Sequence, residues 1–419
     1  MPEINEKKEP LNKNNKVPKL RFKEFDEAWT ICNFYDHFNT FSTNSLSWDQ
    51  LNYEAGNIKN LHYGIIHSNS KNIVDSDQLP FINKGFVPKR HTLVEDGDLI
   101  LADTSEDRID SAKGIEISNS KNDKIVSGLH TLHLREKKKI TVDGYKAYYV
   151  ASDSFRHFAR KYCEGIKVFS IKTSLLKYAH FAYPSNKMEQ TKIVDFLNKI
   201  VVKQDLLQKK IDILKKYKKG LAKEAIKDTI NYWKNGVGNA IDLSNYLIEV
   251  NELSKNNGTY PHVTLSTEGI SDKSDRYDRD FLVKDDNKKY KVTHYNQLCY
   301  NPANLKFGVI CINRYGDGIF SPIYVTFAVK NIELEYLELI ITSEDFNRYS
   351  MKYQQGTVYE RMSVSPEDLS RIKLVVNEKH KQKGIASSAS ALNKKISKLE
   401  CELDNLKLIK AYLLNNMFI

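Results

Sequence analysis

The sequence predicts an α+β protein: two mixed domains in tandem, separated by two long helices that pair as an antiparallel coiled coil with pseudo-two-fold symmetry. Three observations predict it. The chain is written twice, each copy ends in a sustained heptad run, and the stretches between read as short strands and amphipathic helices. Repetition is sought first, because a missed repeat misassigns a whole fold. Ser154-Phe155 and Lys161-Tyr162-Cys163-Glu164-Gly165 return as Asp345-Phe346 and Lys352-Tyr353-Gln354-Gln355-Gly356. Glu189-Gln190-Thr191-Lys192-Ile193 aligns with Lys381-Gln382-Lys383-Gly384-Ile385, and the offset stays near 190 residues throughout. The resulting division is a polar tail over 1–16, expected to be disordered, a first mixed domain over 17–186 and a first long helix over 187–228. A second mixed domain over 229–378 and a second long helix over 379–419 follow.

The helices are the clearest signal. Ile193, Leu197, Ile200, Gln204, Leu207, Ile211, Leu214, Lys218, Leu221 and Ala225 alternate steps of four and three. Ile385, Ala389, Leu392, Ile396, Leu399, Leu403, Leu406, Lys410, Leu413 and Met417 do the same. A helix with such a seam exposes an apolar stripe until a partner covers it. The other copy is the obvious partner, with Leu197, Ile200, Leu207, Ile211 and Leu214 set against Leu392, Ile396, Leu399, Leu403 and Leu406. Pro184 marks the approach to the first helix, and Gly220 and Gly384 lie near the ends of the runs. At 1.5 Å per residue, a helix of about 38 residues spans roughly 57 Å. Lys218 and Lys410 share one seam position; a polar residue there can fix register and orientation, but both read as lysines snorkelling near frayed ends.

In the mixed domains, Leu99–Ala102, Thr131–Leu134, Gly308–Ile312 and Ile323–Val329 are strand-like runs. Asp96-Gly97, Asp143-Gly144, Asn257-Gly258 and Asp317-Gly318 are turn signals, and Gly316 and Gly318 read as a hairpin turn between strands. Tyr145–Tyr162 and Leu334–Met351 are amphipathic segments expected to pack as helices on the sheets.

Composition bounds the function. The 419 residues are 41% hydrophobic and carry a formal net charge of +11. That surplus suits a polyanion, since neutralising phosphates releases counterions; an AT-rich genome with a Lys-rich proteome would give the same figure. Cys32, Cys163, Cys299, Cys311 and Cys401 form no C-x-x-C pair, which argues against a disulfide framework or zinc site and suits a reducing cytosol. The N-terminus lacks an apolar signal region, and no apolar run approaches the roughly 20 residues of a membrane span. A cytoplasmic location is expected.

Catalytic constellations are weak. Asp96, Asp98, Asp103, Glu106, Asp107 and Asp110 form an acidic run without the carboxylate and lysine spacing of a metal-dependent nuclease, and Asp96 and Asp98 read as turn residues entering a strand. Asn301-Pro302-Ala303-Asn304 only partly matches the Asn-Pro-Pro-aromatic motif with which adenine-N6 methyltransferases hold a flipped base. No Walker A sequence occurs. His130 and His133 lie three apart in a strand-like run, hence on opposite faces, so no shared metal is expected. The expectation is therefore no catalytic residue, no metal and no cofactor in this chain.

Residues suited to DNA are more evident. Arg, Lys, Asn, Gln and Ser read base edges or hold phosphates best. In the first domain Lys84, Lys89, Arg90, Ser105, Arg108, Lys161 and Lys167 qualify. In the second they are Asn301, Asn304, Lys306, Arg314, Ser321, Lys352, Tyr353, Gln355, Thr357 and Arg361. For each the competing view is a solvated loop residue.

At this point the sequence resembles the specificity subunits of type I restriction–modification systems. Val17-Pro18-Lys19-Leu20-Arg21-Phe22-Lys23-Glu24-Phe25 with Trp29 is similar to the lead-in to their first recognition domain. Val292–Pro302, Phe307-Gly308 and Ser321-Pro322-Ile323-Tyr324 are similar to a target-recognition segment, and Glu189–Ile193 with Lys218–Leu221 to the helix that follows. The resemblance implies two target-recognition domains, each reading half of a split, asymmetric DNA site. It implies helices that act as a ruler and dock two modification (methyltransferase) subunits, with restriction motor–nuclease subunits completing the complex. S-adenosylmethionine, ATP and Mg belong, on this resemblance, to those partner subunits, and no membrane is involved. A stand-alone adenine-N6 DNA methyltransferase and a coiled-coil scaffold with no DNA role are the competing readings.

Overall fold

The computed structural model describes residues 17–69, 71–118, 120, 123–255, 258–273, 289–356 and 362–419. The tail over 1–16, Thr357 and Arg361 lie outside the described residues. The chain forms two compact units, one built from residues 1–207 with 402–419 and the other from 208–401. Each takes one end of each long helix: α3 (Lys187–Asn235) and α6 (Lys379–Asn416).

In the first unit, Leu99–Ala102 is the central strand of a five-stranded sheet, because all four of its side chains are buried. It pairs antiparallel with Thr131–Glu136 on one side and Gly114–Ser118 on the other. Phe38–Phe41 and Ile73–Asp75 form the edges, the latter parallel to its neighbour. Helices α1 (Tyr145–Ala151) and α2 (Asp153–Tyr162) cover one face. Tyr145, Tyr149, Phe155, Trp29 and Phe181 fill that core together with Leu197 of α3 and Leu413 and Phe418 from the end of α6. A smaller four-stranded sheet contains Ile125–Ser127, Lys59–Leu61, Phe81–Ile82 and Leu51–Asn52.

The second unit repeats the scheme with different strands. Leu247–Val250, Val325–Val329, Leu298–Tyr300 and Ile310–Ile312 form an antiparallel sheet in that order. Helices α4 (Leu334–Ile341) and α5 (Glu344–Ser350) pack against it, and Tyr336, Phe346, Ala225 and Ile385 share the core.

Within each unit the helix segments run antiparallel. In the second, Lys215 pairs with Glu400 at 2.7 Å and Lys381 with Glu224 at 3.3 Å, so one helix rises as the other falls. In the first, Lys203 pairs with Glu402 at 2.9 Å while Ile193 and Leu197 share a core with Leu413 and Met417. Leu197, Leu207, Ile211, Ile396, Leu399 and Leu403 are buried, and Ile200, Leu214, Leu392 and Leu406 are half-buried.

Four expectations are corrected. Helix α3 continues past 228 to Asn235, about 73 Å in all at 1.5 Å per residue. Ile230 and Trp233 pack on the second core, Trp233 Nε1 donates to the Lys373 carbonyl at 2.8 Å, and the helix stops where Gly236 turns to φ +71°. Lys410 does not snorkel. Its Nζ donates to Asn72 Oδ1 at 2.8 Å, because the helix end packs onto the sheet domain and does not fray; burial, with Lys113 nearby, depresses the ammonium to about 8. Gly316 and Gly318 do not close a hairpin: Gly318–Phe320 pairs with Lys289–Thr293, and Ile310–Ile312 with Leu298–Tyr300. His130 precedes the strand Thr131–Glu136, in a left-handed conformation at φ +55°.

Candidate nucleic-acid interface

The repeated sequence signature turns out to be a structural lock. Gln190 and Gln382 are buried near the starts of α3 and α6. Gln190 Oε1 accepts from the Val142 amide at 2.8 Å, just ahead of α1, and its Nε2 donates to the Pro184 carbonyl at 2.8 Å. Gln382 Oε1 accepts from the Glu333 amide at 3.2 Å, just ahead of α4, and its Nε2 donates to the Asn377 carbonyl at 2.7 Å. One carboxamide thus satisfies two otherwise unpaired backbone groups and ties a long helix to the helices of its α+β domain. The next repeated elements are Phe155 and Phe346, both buried, and a glycine-bearing turn after each helix pair. In the first unit that turn is closed by two backbone bonds between Glu164 and Ser170 (2.9 and 2.8 Å); in the second, by Gln355 and Ser363 (2.9 and 3.0 Å).

In the first unit the basic candidates fall into two groups. Lys84, Lys89 and Arg90 are exposed on the loop that leaves Phe81–Ile82. Arg90 borders an open groove of about 530 Å³ that is also lined by Asn44, Phe86, Pro88, Leu129 and His130. The groove has a fixed floor. Asn44 Nδ2 donates to Asn60 Oδ1 (2.7 Å) and to the Ser127 carbonyl (2.8 Å). Nearby, Asp98 accepts from His133 Nε2 and from Arg135, both at 2.7 Å. Burial alone would raise the Asp98 carboxyl, but the Arg135 and His133 hydrogen bonds hold it below the usual carboxylate range. Asp98 is thus an internal ion-pair residue as well as a residue at a turn.

The second group gathers where Thr104–Ser105 pairs with Phe169–Ser170. Ser105 is buried and accepts from the Asp107 amide at 3.3 Å, so it braces its own loop. The Arg108 guanidinium lies 5.2 Å from the Phe169 ring centre, and the Lys161 ammonium 5.7 Å from that of Tyr162. Lys167 is exposed on the Glu164–Ser170 turn.

In the second unit Asn301, Asn304 and Lys306 share one turn. Asn301 is buried, and its Oδ1 accepts from the Ala303 amide at 3.1 Å, so the side chain builds the turn. Asn304 and Lys306 are exposed. A backbone bond from Val364 to Pro302 (3.2 Å) brings this turn beside the Gln355–Ser363 bridge, near exposed Lys352 and Gln355 and half-buried Tyr353. Arg314 is committed elsewhere: it donates to Asn296 Oδ1 (2.7 Å) and pairs with Glu338 (2.9 Å) and Glu335 (3.4 Å). Ser321 is half-buried, and its carbonyl accepts from the Tyr324 amide at 3.1 Å. Among the described residues, no group of three or more His, Cys, Asp or Glu side chains converges as a metal site requires.

Sequence reasoning missed Asn44, Phe86 and His130 as groove residues; nothing local distinguishes them from other loop residues. The glutamine lock could have been found, since glutamine is one of the few identities kept between Glu189–Ile193 and Lys381–Ile385.

Comparison with solved structures gives the fold a precedent. Over 96% of this chain and 99% of the other, the fold is similar to the type I restriction–modification system S subunit from M. genitalium, at a TM-score of 0.58 and 15% identity. The HsdS subunit from Thermoanaerobacter tengcongensis aligns over 93% of this chain and 96% of its own at a TM-score of 0.40 and 11% identity. A chain from a structure of the type I R-M system, solved for its complex assembly and conformational transition, aligns over 92% and 96% at 0.47 and 9%. No family model matches the sequence, and no curated protein is significantly similar to it. No helix among the described residues is long and apolar enough to cross a membrane.

Proposed function

We propose that this chain is the sequence-specific DNA-recognition subunit of a type I restriction–modification complex. The observation that carries the proposal is the duplicated frame: the same glutamine lock, helix pair and glycine turn hold two α+β domains whose exposed loops differ. A non-catalytic subunit that reads a split, asymmetric site needs that combination, one scaffold used twice with two different reading surfaces. The overall fold shared with the M. genitalium S subunit supports it.

In this proposal the exposed cations around Arg90, Lys167, Lys306 and Lys352 hold phosphates and base edges. The long helices set the spacing between half-sites and dock two methyltransferase subunits. S-adenosylmethionine, and ATP with Mg for the motor–nuclease subunits, are bound by the partners, and the complex works on chromosomal DNA in the cytoplasm. The buried turn role of Asn301 leaves the stand-alone methyltransferase without a base-holding asparagine.

The test is methylome mapping of cells expressing the partner subunits with and without this chain. A bipartite methyladenine motif that appears only with the chain is expected. A methylome unchanged by its presence would overturn the proposal.

A further inference from the structure

The turn between Glu164 and Ser170 presents an isoleucine where a soluble protein gains nothing by it. Ile166 is 94% exposed, the highest value among the exposed large hydrophobic residues, and Val168 beside it is 54% exposed. A lone exposed isoleucine is ordinary; one held out on a rigid, basic turn is not. The turn is closed at its base by both Glu164–Ser170 backbone bonds and continues into the Phe169–Ser170 strand, which pairs with Thr104–Ser105. Gly165 sits at φ +137°, and a Cβ there would lie 1.8 Å from the Val168 carbonyl oxygen, so only glycine makes this bend. Behind the turn, Tyr162 stacks on Tyr178 at 5.0 Å and 6°.

The surroundings select the occupant. From Arg160 to Tyr178 the chain carries Arg160, Lys161, Lys167, Lys172 and Lys177 against a single acid, Glu164. The adjoining loop holds Glu106, Asp107 and Asp110, but Asp107 and Asp110 attract the half-buried Arg156, so part of that charge is compensated internally. Arg160 pairs with Asp153 (2.7 Å) and Lys172 with Glu164 (3.3 Å), which leaves exposed Lys161 and Lys167 flanking the tip in sequence. An apolar tip beside ammonium groups is the chemistry of a side chain that enters a nucleic acid groove while its neighbours hold the phosphates.

We infer that Ile166 is a wedge: it inserts between base pairs of duplex DNA in the half-site read by the first unit and unstacks one step. The inference rests on the DNA-recognition proposal above. The wedge's cost is unstacking; its return is burial of a side chain that water otherwise surrounds. Rigidity matters, because a tip already fixed by Gly165 and the Glu164–Ser170 bonds loses little freedom on insertion.

The experiment uses the full chain reconstituted with its modification subunits, on duplexes bearing the mapped motif. 2-Aminopurine is placed at successive positions of each half-site other than the methylated adenine, which the partner itself unstacks. A fluorescence rise at one step is expected. Ile166→Ala should abolish it and weaken binding by roughly tenfold or more. Lys167→Ala should keep the rise and lower the salt slope of binding by about one. No rise at any position, or a rise and affinity that survive Ile166→Ala, overturns the wedge. A mapped, chain-dependent motif alongside that result would leave DNA recognition standing; absence of any such motif is the separate failure of the function itself.

Discussion

Gln190 and Gln382 make the same two hydrogen bonds in the two units, but the residues that precede them do not behave alike. Glu189 is buried, and it accepts from Arg21 through both oxygens (2.7 and 2.8 Å) and from Trp29 Nε1 (3.2 Å). Its counterpart Lys381 is exposed and pairs with Glu224 on the facing helix. The first frame is therefore closed by the segment that leads into its domain, through a bidentate and almost dry ion pair. The second is closed by a surface pair of the kind worth little. The first unit also buries an ion pair beside its first helix. Glu116 accepts from the Gly144 and Ala147 amides (2.7 and 3.2 Å) and lies 3.0 Å from the equally buried Lys146. The comparison teaches that the lock is common property, while the first unit adds buried charge around it.

Glu116 gives the largest expected effect. Glu116→Ala would leave Lys146 buried without its carboxylate and two helix-start amides unpaired, a loss of about 3–5 kcal/mol confined to the first unit. The same group sets a pH dependence. Burial pushes its carboxyl up to about 7, against the pull of Lys146 and the Gly144 amide. A carboxyl raised on folding favours the folded state while protonated. Its contribution is complete below about pH 4.5 and is lost as pH rises through 7, up to about 3 kcal/mol. Hydrogen exchange of α1 amides should show protection falling from pH 5 to 7.5 in the native chain relative to Glu116→Gln, with the second unit unaffected. Parallel profiles for the two chains would remove the buried charge from the comparison.

The lock itself comes next. Gln190→Ala and Gln382→Ala each strand one backbone amide and one carbonyl in a dry site, which costs about 2–3 kcal/mol. The two losses should be of similar size and should each stay in their own unit, read as a drop in exchange protection near Val142 or near Glu333. A loss in one unit only would mean that the repeated geometry is not repeated energetics.

How much of this could be read from sequence follows a physical line. The seam was legible because a 3.5-residue period recurs whatever the helix packs against, and the strand Leu99–Ala102 because four apolar residues in a row follow the Asp96-Gly97 turn. The end of α3 was not, because residues 229–235 are held by groups near residue 373, more than a hundred positions away. Lys410 was misjudged for the same reason, because Asn72 decides its role; Arg314 was nominated without sight of its ion pair with Glu338, and no local pattern announces either contact. Of the interface candidates, exposed lysines were easy to nominate, while Ser105 and Asn301 were nominated by residue type and turn out to build the loops that carry the others.

The smallest expected difference separates two serines at matching places. Ser152 and Ser343 each precede the second helix of their pair, and each hydroxyl donates back to a carbonyl of the first, Tyr149 at 2.6 Å and Ile340 at 2.7 Å. Only Ser343 also accepts from the helix it caps, from the Phe346 amide at 3.1 Å; Ser152 makes no side-chain cap bond. Both acceptor carbonyls keep the serine's own amide, at 3.0 Å for Ser152 and 3.1 Å for Ser343, so alanine at 343 removes a cap and a tether, about 1–2 kcal/mol, and alanine at 152 a tether alone, about 0.5–1 kcal/mol. Exchange protection in α5 should drop more than in α2. Equal losses would show that the back-donated bond, which both units possess, is the interaction that matters, and that the cap found only in the second contributes nothing measurable.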